Sequence, residues 1–197
     1  MSRRMRLAGV FLLVAAGFAS SPLSTAEALS TRYGARALYQ RIVLSQNLER
    51  ERLGLPNMAW DPTLAAAAAS YASQMAATDE WQHSPWESRV GQGENLWMGT
   101  HNAFTPREMV DGWLAERRLF HSGTFPNVST SGSWHDVGHY TQLIWPGTDR
   151  VGCAVRSSAD WDYLVCRYSG PGNVMGDPVG PMAVTAAAHQ PTKSASA

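Results

Sequence analysis

The stretch Gly138-His139-Tyr140-Thr141-Gln142-Leu143-Ile144-Trp145 places one imidazole directly before a short, almost wholly apolar run. A histidine carried into a core on such a segment needs hydrogen-bond partners there. Pro146 follows, and the residue before a proline is pushed toward extended geometry. The reading is one or two helical turns that stop at Trp145 and hold His139 against the centre of the molecule.

Downstream lie the only two cysteines, Cys153 and Cys166. Val151, Cys153 and Val155 alternate with small or polar residues, as do Leu164, Cys166 and Tyr168, and Ser157 to Asp160 supplies turn residues between the two runs. This predicts two antiparallel strands. Setting Cys153 opposite Cys166 centres the hairpin between Ala159 and Asp160, with a four-residue loop from Ser158 to Trp161. A tighter turn would need the glycine or asparagine that Ala-Asp lacks. In an oxidising compartment an even cysteine count reads as a disulfide.

Upstream, three helices are punctuated by their ends. The first begins near Ser30 or Thr31 and runs to Leu53, with Gly54 suited to the left-handed position after it and Pro56 barring continuation. Asp61-Pro62 is an N-cap followed by a first-position proline, and Leu64, Ala68, Tyr71 and Met75 then form a stripe to about residue 78. Thr105-Pro106-Arg107-Glu108 is a capping box opening a helix to Phe120, on which Met109, Trp113, Glu116 and Phe120 share one face. Glu116 is thus a carboxylate on a core stripe, or at its edge, where Arg50 or Arg117 would answer it. Residues 79–99 lose all periodicity around His83, Glu94 and Asn95 and read as a loop entering a short strand. Gly91-Gln92-Gly93 lacks the third glycine and the preceding strand of a dinucleotide fingerprint. Residues 121–137 have no period and read as a long surface loop of lid type.

At the amino end, Arg3, Arg4 and Arg6 precede the thirteen-residue apolar run Leu7 to Ala19, and Ala26-Glu27-Ala28 offers a cleavage site. The run is shorter than the roughly 20 residues of a membrane span, so residues 1–28 are expected to be a secretory signal peptide. The remaining chain carries thirteen basic and fifteen acidic residues, a formal −2. With one lysine, Lys193, and no basic run, the sequence gives no footing for nucleic acid. Residues 29–178 suffice for one domain, and the Ala-, Thr-, Ser- and Pro-rich residues 179–197 are expected to be a disordered tail. Alanine-rich, arginine-over-lysine usage suggests a GC-rich bacterial source.

The segment 138–145, with Val151-Gly152-Cys153-Ala154 and Val165 to Asn173, resembles the CAP superfamily of cysteine-rich secretory, antigen 5 and pathogenesis-related class 1 proteins. The likeness extends over roughly residues 37–178. It implies an α+β fold, a three-layer α-β-α sandwich with a small antiparallel sheet near 95–98, 150–156 and 163–169. It also implies that His83, Glu94, Glu116 and His139 meet in a cleft. Gln46 where histidine is usual, Phe120, Arg167 and Gly170 depart from the pattern outside that tetrad and bear on the ligand surface.

Two imidazoles and two carboxylates allow three readings. His83 and His139 are candidate ligands for Zn2+ or another divalent cation, held weakly because catalytic zinc sites normally have three protein ligands and structural ones four. Glu94 and Glu116 are the catalytic candidates if the protein is a metal-assisted peptidase or esterase, although H-E-x-x-H and G-x-S-x-G are absent. The tetrad can also simply satisfy itself. An H-x-x-x-H pair of His135 and His139 is a rival set, which Gly138 is expected to interrupt. The expectation is a secreted or periplasmic binding or effector protein without a membrane anchor, whose extracellular ligand is a lipid, a peptide or a partner protein, with Trp81, Trp86 and Trp134 around the cleft. His101, His121 and His189 read as surface residues.

Overall fold

Asp61 accepts hydrogen bonds from the Thr63 and Leu64 amides at 2.7 and 3.1 Å, and this cap starts the longest helix among the described residues. The computed structural model describes residues 39–180. The signal peptide, the start of the first helix, His189 and most of the tail lie outside them. A π-helical turn, Tyr39–Val43, passes into α1, Leu44–Arg52. There follow β1, Ala59–Trp60, α2, Pro62–Thr78, β2, Gln92–Thr100, and α3, Pro106–Ala115. Then come β3, Gly123–Thr124, α4, Gly138–Leu143, β4, Arg150–Ser157, β5, Trp161–Ser169, and β6, Pro178–Val179.

The main sheet runs β1-β4-β5-β2, antiparallel except for the β1–β4 edge. Cys153 pairs with Cys166 and the two are disulfide-bonded. The last rung is Ser157 with Asp162, so the hairpin loop is the four residues anticipated. Alternation along β4 sends Val151, Cys153 and Val155 to one face and Ala154 to the other. The second face carries α2 through Ala68, Tyr71, Ala72 and Met75. The first carries α1, α3 and α4, with Ile42, Val110, Trp113, Leu143 and Ile144 fully or almost fully buried. Helices on both faces make the three layers. Gly152 lets α2 sit this close: a Cβ there would lie 2.1 Å from the Ala65 nitrogen and 2.6 Å from the Asp61 carbonyl.

Arg50 fixes the segment 138–145 from below. Wholly buried, it donates from Nε to the Pro56 carbonyl, from Nη1 to those of Leu143 and Trp145, and from Nη2 to that of Thr148. The carbonyls left over at the end of α4 thereby gain a cationic donor, the sign the helix dipole favours.

Four expectations are corrected. Strand β2 spans nine residues rather than four, because β5 pairs with it throughout. The helix holding Glu116 is α-helical only to Ala115, and Glu116–Leu119 tightens to a 3-10 turn. Residues 121–137 do not form a lid: Phe125 and Val128 are core residues, and Gly123 pairs with Val179. Val179, read as the first residue of the tail, is therefore buried in β6.

Candidate functional site

The tetrad is assembled as two histidine–glutamate pairs, of which His83, Glu94 and His139 line one cleft and Glu116 stands behind His139, outside its lining. His83, in the loop after α2, donates from Nδ1 to Glu94 Oε1 at 2.7 Å. His139, second residue of α4, donates from Nδ1 to Glu116 Oε1 at 2.6 Å. The rings stand half open, their side chains 53% and 35% exposed, whereas Glu94 is wholly enclosed and Glu116 19% exposed. His83, Glu94 and His139 line a cleft of about 680 Å³.

Each carboxylate is spoken for. Glu94 Oε1 also accepts the Ser84 amide at 3.0 Å, and Oε2 accepts the Ser84 hydroxyl at 2.9 Å. Arg167 Nε lies 3.0 Å from Oε2, and Arg167 Nη2 donates to Ser84 Oγ. Burial opposes ionisation of Glu94, but the His83 bond, the Arg167 charge and the two Ser84 donors prevail and hold its carboxyl below the usual carboxylate range. An ionised Glu94 only accepts, so His83 carries its proton on Nδ1 and its Nε2 remains for the cleft. Glu116 Oε2 accepts the Tyr140 amide at 2.9 Å, and the Trp113 ring stacks 6.0 Å from that of His139.

The backbone of the central segment is pinned from two sides. Asn95 Nδ2 donates to the His139 carbonyl at 3.0 Å and Asn173 Nδ2 to the Gly138 carbonyl at 2.9 Å. Neither arginine offered as an alternative partner for Glu116 pairs with it. Arg117 instead meets Glu49, which also accepts from Arg52 and from the Tyr140 hydroxyl at 2.6 Å.

Some expectations around the site change. Arg167, a departure placed outside the tetrad, is buried against Glu94, and its strand position pairs directly with Glu94. Ser84 encloses Glu94, and Arg89, Gln142 and Asn173 line the cleft, without any local sequence pattern that marks them as site residues. Cross-strand pairing of opposite charges would have flagged Arg167 once β2 was extended. Gln46 reaches the site indirectly: Tyr168 donates to its Oε1, and Asn95 donates to the Tyr168 oxygen. Gly138 is helical, and the break between His135 and His139 falls at Val137, φ −136°. Trp86, Trp134 and His135 line the cleft; Trp81 is exposed and does not. His101 is no free surface residue, for its Nδ1 bonds buried Asp162 at 2.8 Å. Among the described residues no three His, Cys, Asp or Glu side chains converge as a metal set, and no helix is long and apolar enough to cross a membrane.

The sequence matches the cysteine-rich secretory protein family, CAP, over residues 45–168. The chain belongs to this family. Among CAP relatives, the pathogenesis-related protein PR-1 type of Sambucus nigra is 36% identical over 138 residues, 70% of this chain and 78% of its own length. Pathogenesis-related protein 1C of Nicotiana tabacum is 35% identical over 133 residues, 67% and 74%. The crystal structure of NaASP2 with Zn2+ superposes with TM-score 0.64 at 24% identity, covering 74% of this chain and 86% of that one. This likeness is one of fold, and it agrees with the sandwich described above.

Proposed function

We propose that this CAP protein is an exported binding module whose cleft takes a divalent cation weakly through His83 and His139. The observation that carries the reading is the commitment of both Nδ1 atoms to glutamates, which leaves both Nε2 atoms as the imidazole donors of one cleft. Carboxylate–histidine pairing of this kind is the outer shell that orients metal-ligating imidazoles. Two protein ligands fit an open, water-rich, readily exchanging site rather than a structural one. A bound cation would supply a Lewis-acidic centre with positions open to water or to a ligand's oxygen atoms.

Metal-assisted hydrolysis asks more of the same residues. Glu94 or Glu116 would have to take a proton from water, yet Glu94 is enclosed and its oxygens already accept from three donors besides meeting Arg167. Binding is therefore the reading put forward. Export is supported by the family's secretory character, by the disulfide and by the signal-type residues 1–28. Zinc titration by calorimetry tests the metal: saturable binding that disappears in the His83→Ala, His139→Ala double variant is expected. An unchanged titration in that variant, or no binding by the parent chain, would leave the tetrad a structural cluster.

A further inference from the structure

We propose that the ligand of this cleft is a carboxylate on an aromatic body, and that Arg89 receives the carboxylate. The proposal rests on the cleft being a ligand site, and is independent of whether a cation binds there.

Arg89 sits where the 3-10 turn Trp86–Ser88 ends and lines the cleft. Its guanidinium is held in place by the protein itself. Nε donates to the Ser84 carbonyl at 3.2 Å, Nη1 lies 3.4 Å from the Gln92 carbonyl, and the group rides 5.2 Å above the Trp86 ring. Nη2 is left over. A guanidinium fixed by two carbonyls and a ring loses little freedom on meeting a ligand, which favours binding.

Its charge is also unanswered. No carboxylate pairs with Arg89 among the described residues, while Arg167, the guanidinium whose charge it feels, is engaged by Glu94. Glu94, the one carboxylate lining the cleft, is neutralised by Arg167. One pre-set positive group therefore remains at the wall. That single charge suits a carboxylate, one oxygen of which can accept a charge-assisted hydrogen bond from Nη2. With no cation bound in the cleft, a phosphate dianion would lack a second positive group, because Arg167 is engaged by Glu94.

The walls describe the rest of the ligand. Trp86 is 49% exposed and lines the cleft, with Arg89 over one part of its ring. Trp134, with His135 stacked on it at 3.9 Å, lines the same cleft. Indole faces favour planar bodies, and about 680 Å³ falls in the range of small-molecule pockets. Such a carboxylate has two sources, a small aryl acid or the C-terminus of a peptide ending in an aromatic residue.

The test is calorimetry at neutral pH on the whole exported chain with 3-phenylpropionate and its neutral amide, and with a tripeptide ending in phenylalanine as free acid and as amide. Each is run in EDTA and again with zinc. The expected result is saturable binding of at least one acid in EDTA, with its amide weaker by about tenfold or more, the loss of a charge-assisted bond. Arg89→Gln should weaken the acid by a similar factor and leave the amide little changed. Binding of the tripeptide acid alone would identify a chain terminus as the source, and binding of the small acid alone a metabolite-sized ligand; both support the proposal. Equal affinity for acid and amide in the parent chain overturns it without any variant. So does an Arg89→Gln chain that binds the acid as before, or the absence of acid binding. Acid binding seen only with zinc and indifferent to Arg89→Gln would sink the Arg89 assignment while sustaining the metal reading. Failure of the zinc titration with the acid–amide contrast intact would do the reverse.

Discussion

Replacing Arg167 with methionine isolates the contribution of the ion pair that lies behind the cleft. The guanidinium is 3% exposed and the Glu94 side chain is not exposed at all. Solvent screening therefore offers little relief when the cation is removed. Breaking a buried pair by deleting one partner costs about 3–5 kcal/mol, and the bonds of Arg167 to Ser84 and Gln92 are lost with it. For a domain of this size each kcal/mol moves Tm by roughly 2–4 °C, so a fall of roughly 6–20 °C is expected near neutral pH. The deficit should itself depend on pH. In the parent chain Glu94 has a depressed pKa, so its contribution is fully present above the unfolded carboxyl value of about 4.3. That contribution is lost as pH falls through the lower folded value. Without Arg167 the depression is reduced or reversed, and the two chains should converge as the pH is lowered through 4. Thermal unfolding followed by circular dichroism at several pH values reads both effects. A deficit below about 1 kcal/mol at neutral pH, or one that does not narrow in acid, would refute the reasoning.

Three further outcomes follow from the fold. Replacing Cys153 and Cys166 together by serine opens a link 13 residues long and should lower stability by about 3 kcal/mol, measured by denaturant unfolding, with a steeper slope as the freed unfolded chain expands. Arg50→Met strands the carbonyls of Leu143, Trp145 and Thr148 and should cost at least about 3 kcal/mol, since each unmet buried group costs about 1–3; a near-neutral change would contradict the account of how the central segment is held. Gly152→Ala forces a methyl to 2.1 Å from the Ala65 nitrogen of α2 and should destabilise by about 1–3 kcal/mol, with Tm again the readout.

The parts of the molecule legible in the sequence are those set by local chemistry. Asp61-Pro62 and the box of Thr105 and Glu108 cap their helices as their residue types require, and Gly54 adopts its left-handed conformation, φ 70°. The cysteine pair points to the hairpin register because a disulfide between the two strands sets Cys153 directly opposite Cys166. What escaped depends on partners distant in sequence. Gly93, Glu94 and Gly99 are poor strand formers, so β2 is a strand chiefly because β5 lies beside it. Gly123 and Val179, 56 positions apart, show no pattern that announces their pairing. The tetrad itself came from resemblance; periodicity alone placed Glu116 near the core and said nothing of His83. Ser84 and Arg167, which enclose Glu94, acquire meaning only when loop, strand and hairpin are brought together.

Two glutamates orient the two imidazoles of the proposed site. Long-range proton–nitrogen NMR of the histidine side chains, recorded at about pH 8, above the ordinary imidazole range, and then with added zinc, observes this directly. His83 and His139 should both show the proton on Nδ1, and their Nε2 resonances should move with zinc. A proton on Nε2 in either ring, or Nε2 signals indifferent to the metal, would contradict the proposed site.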